Sequence, residues 1–402
     1  MPIDLLILNT AVIDFRSDEF EFVERLAGKG GLARGKTKDM PGFTQEQYKK
    51  WIDSDKATAG GPGNTAPLVA RAGIKTAVGA NLGKGDFGGL DAGGRFFFDA
   101  MVSSGVDMSA TFIHQSLLTG ATFVHNKPCG DRGGLAYFPN ANNEFDFKYF
   151  KSAVERLSPK IVFYMYSGLS DSGDANGGKD LADFVNWCGA RGITTIADSH
   201  TLTGSPEKFI ESRASVPEYK LLEPLLSELD IFFTSYDEAR MIENTIGEKG
   251  KYIGISEEEY ISYFLKYLSK TFWRQNKNSR VFGVTVKDGA FVIYRDAQGN
   301  VIGPKKITSR FMIGDVKDLV GAGDSFRAGF VAYIAKNIEK FRNDKINIEQ
   351  AVQMANLFAS LYIKAPLNDR YSTIGQYKKM LEVVSGNFRF GSFEELVSAV
   401  VR

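Results

Sequence analysis

The chain has 402 residues, 43% of them hydrophobic and 24% charged, with 49 Lys and Arg against 48 Asp and Glu. This balance leaves room for a large core and shows no electrostatic footprint for nucleic acid or an anionic membrane surface. Two cysteines, Cys129 and Cys188, are too few and too far apart for a disulfide framework or a zinc site. No apolar run reaches the ~18 residues that suggest a membrane span, and the opening residues lack the pattern of a signal peptide, so a cytoplasmic protein is expected.

In chain order, a strand is predicted over 5–14 (LLILNTAVID), then a polar, glycine-dotted segment with one candidate helix in TQEQYKKWIDSD. A helix near 64–72, a strand at 75–82 and a helix at 91–104 follow, and then short β-like pieces, GATFVH and GGLAYFP. Strands at 161–167 and 194–199 flank a helix near 179–191. A strand at 230–235 precedes a helix at 257–272, whose leading glutamates and later lysines suit the helix macrodipole. Strands at 280–286 and 290–296 lead to helices near 324–340, 347–363 and 374–384. Such alternation predicts βαβ units in one main α/β domain over 1–14, 59–109 and 148–402. Residues 15–58 and 110–147 stand outside it and make either a small β-rich lid or two unrelated surface loops.

The stretch DLVGAGDSFRAGF, Asp318 to Phe330, is the most informative. Its glycines let the backbone turn at Gly321-Ala322-Gly323, and helical spacing begins at Asp324. Amides gathered at a helix start form an anion site backed by the helix dipole. Asp324 beside it is either an ordinary helix cap or a base that takes a proton from a hydroxyl while the amides stabilise a transferring phosphoryl group.

The D-x-x-G-A-G-D-x-F pattern resembles the signature of the ribokinase-like (PfkB) carbohydrate and nucleoside kinases, and further motifs follow that family's order. Asp14 closes the first predicted strand; AGGPGNTA (59–66) resembles the sugar-binding motif; GKGDFGGL (83–90) and SGVDMS (104–109) come next. YDEARMI (236–242), GVTVKDGAFV (283–292) and AVQMANLFASLYI (351–363) resemble the metal-linked, nucleotide-loop and adenine-side segments. The resemblance implies a three-layer sandwich with a mainly parallel central sheet and a small β-rich lid. It also implies transfer of the γ-phosphoryl of ATP to an alcohol. By it Asp324 is the base, the amides of Gly321, Ala322 and Gly323 the anion hole, and Asp14, Gly60, Gly61 and Asn64 the substrate side. Ser235, Thr285, Gly289 and Asn356 fall to ATP, Glu238 and Asp318 to the metal, with Mg²⁺ and a monovalent cation such as K⁺ as cofactors.

Several positions depart from the family pattern. Leu319 and Val320 follow Asp318 where Thr is usual, which removes a hydroxyl and alters the monovalent-cation loop. Ser235 replaces an Asn, TVKDG is short for the nucleotide loop, and only Pro62 and Gly63 separate Gly61 from Asn64. No lysine is offered in that last motif, so a neutral sugar is the first expectation. A nucleoside is the second, because the long segment after Asp14 resembles the first insertion of adenosine kinases; against it, only Phe15, Phe20, Phe22, Phe43, Tyr48 and Trp51 are on offer nearby to stack a base.

A homodimer through the lid is a further expectation. Two other classes compete. GKGDFG is a literal dinucleotide-binding fingerprint, though no clear strand leads to Asp107. A non-catalytic sugar or nucleotide binder of the same fold has little reason to keep Asp324. His114, His125 and His200 lack metal spacing and read as structural or exposed, Asp198 as a strand-end acid that either approaches the metal or belongs to an ordinary turn, and the lysines of 29–38 as a solvated loop face.

Overall fold

The computed structural model describes residues 2–35, 41–126, 132–247, 254–273 and 279–402. Cys129 and part of the 29–38 lysine segment lie outside them. In chain order the strands are β1 (Leu5–Leu8), β2 (Val12–Ser17), β3 (Leu32–Arg34), β4 (Ala57–Gly60), β5 (Thr76–Gly79), β6 (Asn81–Gly83), β7 (Phe112–His114) and β8 (Gly120–Asn126). They continue with β9 (Arg132–Phe138), β10 (Ile161–Ser167), β11 (Thr194–Ser199), β12 (Ile231–Ser235), β13 (Val281–Val286), β14 (Gly289–Arg295) and β15 (Val301–Thr308).

Eight strands form one sheet in the order β15-β14-β13-β12-β11-β10-β1-β5. It is parallel from β5 to β13, and β14 and β15 add an antiparallel edge. The two-residue period of a strand decides which core each side chain joins. Leu5, Ile7, Phe163, Ile231 and Phe233 pack with helices Ala66–Arg71, Ala322–Lys336 and Ile348–Lys364. Leu6, Leu8, Val162, Tyr164 and Phe232 pack with helices Phe147–Leu157, Lys179–Gly189, Tyr236–Ile246 and Glu257–Phe272. The result is a three-layer sandwich, and its strands read as continuous apolar runs because both faces are covered.

A five-stranded sheet, β3-β9-β8-β2-β4, is the second unit. One of its faces is closed by an aromatic cluster: Phe15 stacks on Phe123 at 5.5 Å, and Phe20, Phe43, Tyr48 and Trp51 pack around them. Tyr48 and Trp51 come from helix Gln45–Asp53, the one expected in TQEQYKKWIDSD; a Thr44–Gln47 capping box starts it.

The predicted strand over 5–14 is two strands in two sheets. Asn9 and Thr10 take left-handed conformations (φ 75° and 52°), and both side chains donate to the Met165 carbonyl at 3.1 Å. That break carries the chain from the large sheet to the small one. Asp14 therefore sits within β2 rather than closing the first strand. The small sheet takes in residues on both sides of the 14/15 and 58/59 divisions. The GAGD helix starts at Ala322, two residues before the expected Asp324, and ends at Lys336. Helices Phe147–Leu157, Tyr236–Ile246 and Phe393–Val401 were not expected, nor was β15, whose Gly303, Pro304 and paired lysines disguise an edge strand.

The helix carrying Asp324 is pressed directly onto Ile348–Lys364. A Cβ added at Gly329 would fall 2.5 Å from the Met354 carbonyl oxygen and 2.7 Å from the Ala355 Cα. Backbone cannot yield as a flexible side chain can. Gly329→Leu is expected to cost about 3 kcal/mol or more in a denaturant titration. A loss below about 0.5 kcal/mol would mean that the two helices are not in backbone contact.

Candidate functional site

Parallel sheets place ligands at the carboxyl ends of their strands, and here the small sheet covers that end. One face of the small sheet carries the aromatic cluster; the other carries Val12, Asp14, Thr122, Leu135 and Tyr137. These five line a cavity together with Thr10, Leu32, Gly61, Asn64, Tyr166, Leu169, His200, Val320, Gly321 and Asp324. Of the residues singled out in the sequence, Asp14, Gly61, Asn64, Gly321 and Asp324 thus meet around one space, although they lie far apart in the chain.

Asp324 is in the first turn of its helix and 7% exposed. Tyr166 donates its hydroxyl to Oδ1 at 2.6 Å, and Asn64 donates its amide to Oδ2 at 3.0 Å. The Arg327 guanidinium, one turn on, lies 3.9 Å from Oδ1. It also lies 3.0 Å from Asp198 Oδ2 and donates to the Phe233 carbonyl at 3.2 Å. Asp198 thus pairs with Arg327 and accepts from the Tyr166 amide at 3.0 Å. Burial pushes the Asp198 carboxyl up to about 7 against the pull of Arg327.

Gly321 takes φ 86°, and a Cβ there would meet the Tyr362 ring at 2.9 Å and the Asn64 side chain at 3.1 Å. Only glycine satisfies both the turn and the approach. The first N–H groups of a helix have no intrahelical acceptor, which suits an anion. One of the three expected amides is already engaged, however: Ala322 N–H donates to the Leu319 carbonyl at 3.1 Å. Because the helix begins at Ala322, Gly321 is its N-cap and Gly323 and Asp324 lie in its first turn.

Asp14 is buried against Arg16, whose guanidinium is 3.8 Å from Oδ2. Burial pushes its carboxyl up to about 6; Arg16 pulls it down and Asp324 adds to the rise. Gly60 lets β4 pass over this carboxylate, since a Cβ would lie 2.4 Å from both oxygens.

The residues expected on the nucleotide side lie on β12, β13, β14 and helix Ile348–Lys364. Ser235 and Thr285 are register partners across β12 and β13. Gly289 opens β14 after a two-residue hairpin, where a Cβ would strike the Ile307 carbonyl at 2.2 Å. The shortened TVKDG loop is thus a tight hairpin. Asn356, 5% exposed on helix Ile348–Lys364, has an amide nitrogen with no hydrogen-bond partner. A buried, unmatched donor fits a ligand acceptor such as an adenine ring nitrogen.

Glu238 closes a capping box with Ser235 and accepts from Thr234 Oγ1 (3.0 Å) and the Ser235 amide (2.9 Å). Ser235 in the place of Asn therefore caps the helix just as well. Asp318, grouped with Glu238 on the metal side, is instead held by Arg370 at 2.7 Å and Arg16 at 3.3 Å. Among the described residues no group of three or more His, Cys, Asp or Glu side chains is placed to hold a metal. Glu238 alone suits Mg²⁺ that arrives with phosphates and keeps most of its waters. Asp318 does not suit a cation.

Sequence reasoning missed Tyr166, Tyr362, Arg16, Arg327 and Arg370. Tyr166 had a structural signal but no sequence signal: it takes φ 64° at a bulge in β10, an uncommon conformation for a bulky residue. Arg327 was visible within GAGDSFRAGF, one helical turn after Asp324.

Comparison with known proteins agrees with the fold. The fold is that of the ribokinase-like kinases. Adenosine kinase from Anopheles gambiae, solved with P1,P4-di(adenosine-5) tetraphosphate, superposes with a TM-score of 0.63 at 16% identity over 97% of this chain and 100% of that one. Fructokinase from Xylella fastidiosa with bound ATP gives 0.61 at 18% identity over 95% and 98%. A putative ribokinase II from E. coli in its apo form gives 0.59 at 15% over 95% and 99%. Residues 279–369 match the pfkB family carbohydrate kinase model. The resemblance read from the sequence is thus borne out, by family over that segment and by fold over nearly the whole chain. No curated protein matches the chain by sequence.

The buried Asp14 gives a pH-dependent prediction. Its folded value, about 6, lies above the ordinary 3.8, so the folded protein holds the extra proton between these limits. Burying the charge therefore costs stability in full above pH 6, and the cost vanishes below pH 4. Relative to wild type, Asp14→Asn is expected to be about 2–3 kcal/mol better off at pH 7 than at pH 4 in urea titrations. An equal difference at both pH values would contradict the desolvation of Asp14.

Proposed function

We propose that the protein is an ATP-dependent kinase that phosphorylates an alcohol group of a neutral sugar. The observation that carries the neutral-substrate reading is the cavity lining: two carboxylates, Asp14 and Asp324, an amide, Asn64, and no lysine or arginine among the described lining residues. Carboxylates and an amide orient hydroxyls well, whereas a phosphorylated substrate would bury a dianion without a cation.

In this reading Asp14 and Asn64 hold substrate hydroxyls. Asp324 keeps acceptor positions beyond those used by Tyr166 and Asn64, and one receives the reacting O–H. As that oxygen bonds to the γ-phosphorus and the bond to the ADP oxygen breaks, the proton passes to Asp324. The amides of Gly321 and Gly323, with that of Asp324 in the same first turn, face the developing charge. Nucleotide binding falls to Ser235, Thr285, Gly289 and the unmatched Asn356 amide. Glu238 would hold Mg²⁺, which would neutralise phosphate charge. The small sheet acts as the lid that excludes water and as the candidate dimer surface.

A nucleoside acceptor is the alternative. Of the aromatics after Asp14, Phe15, Phe20, Phe43, Tyr48 and Trp51 pack with Phe123 on the sheet face opposite Asp14. That placement weighs against stacking a base on them. Adenosine kinases among the similar folds keep the alternative in view.

The test is ADP release measured over neutral hexoses, pentoses, nucleosides and their monophosphates. A neutral sugar is expected to give the highest kcat/KM. A sugar phosphate turned over well above every neutral compound would overturn the reading, and a preferred nucleoside would replace it with the alternative.

A further inference from the structure

The family resemblance implies a monovalent cation beside the first Asp of the GAGD signature, and the residues here do not accommodate one. Asp318 Oδ2 accepts from Arg370 at 2.7 Å and lies 3.3 Å from Arg16 Nε, while Oδ1 accepts from the Val320 amide at 2.8 Å. Both guanidiniums are nearly buried, at 3% and 4% side-chain exposure. Burial pushes the Asp318 carboxyl up, yet Arg16 and Arg370 together outweigh it and hold it below the usual range. Asp318 N–H donates to the Ile363 carbonyl at 3.2 Å. Leu319, 49% exposed, offers no hydroxyl oxygen. A hard cation needs several oxygen ligands and no positive neighbours, and this corner offers the reverse.

Arg370 also reaches the substrate side. Its Nη1 donates to the Tyr362 hydroxyl at 3.2 Å, and its guanidinium stacks 4.6 Å above that ring. Tyr362 donates to Asn64 Oδ1 at 2.6 Å, and Asn64 donates to Asp324 at 3.0 Å. We propose that the Arg370 guanidinium, seconded by Arg16, is a built-in cation at Asp318, that the reaction needs no monovalent metal ion, and that Arg370 is a positioning residue acting on Asp324 through Tyr362 and Asn64. The rate part rests on the kinase reading; the binding part does not.

The experiment compares KCl with choline chloride at equal ionic strength by thermal melting and by initial rate. Wild type is expected to melt alike in both and to turn over within about twofold. Arg370→Gln should lose about tenfold or more in rate in choline, and KCl should restore part of that rate and raise its melting temperature. Arg370→Lys, which keeps the charge, should remain indifferent to K⁺. A K⁺-specific rise in the wild-type melting temperature or rate overturns the proposal. So does an Arg370→Gln loss that K⁺ fails to restore. Should Arg370→Gln not fold, the wild-type and Arg370→Lys arms decide. Should no acceptor be turned over, the kinase reading fails while the melting comparison still decides the cation question.

Discussion

A carboxyl group buried between two sheets is the constraint around which this molecule is arranged. Removing such a group from water is affordable only if hydrogen bonds and opposite charge replace the solvent. Asp324 receives those replacements from every layer: Asn64 from the turn after β4, Tyr166 from the large sheet, and Arg327 from its own helix. Each partner is itself held. Arg327 is fixed by Asp198 and the Phe233 carbonyl, and Asn64 by Tyr362, which in turn meets Arg370. The network joins Asp198 at one end to Asp318 at the other, so a displaced member propagates to the carboxylate at its centre.

The same constraint explains the glycines that matter. Gly321 is where the helix start must pass Tyr362 and Asn64, and Gly60 is where β4 must cross the Asp14 carboxylate. Neither residue supplies chemistry through a side chain. They bring the small sheet, the large sheet and the GAGD helix close enough for one cavity to be lined by all three.

Much of this was legible in the sequence, and the reason is local. The strands at 161–167 and 194–199 and the helix at 257–272 carry uninterrupted patterns and strong caps, and they stand where the pattern placed them. The signature around Asp324 and the motif around Asn64 were legible because turns with close backbone contacts demand glycine. What escaped depends on tertiary placement. Nothing in LLILNTAVID announces that Asn9 and Thr10 break the strand, because the carbonyl of Met165 that stabilises the break is distant in the chain. Tyr166, Tyr362 and Arg370 look like ordinary apolar-face or loop residues until the fold joins them. The placement of the aromatics after Asp14 was not legible for the same reason, since only the sheet's two faces separate a core cluster from a binding wall.

The most direct measurement of the central claim is single-turnover phosphoryl transfer by Asp324→Asn, with the best acceptor and with ATP binding followed separately. Asparagine keeps the shape and the acceptor for Tyr166 but removes the basicity. The account requires transfer to slow by about 10²–10⁴, or ~2.7–5.4 kcal/mol of barrier, with ATP affinity largely kept. Transfer within a factor of a few of wild type would contradict it and leave Asp324 as a helix-start acid without a part in the chemistry.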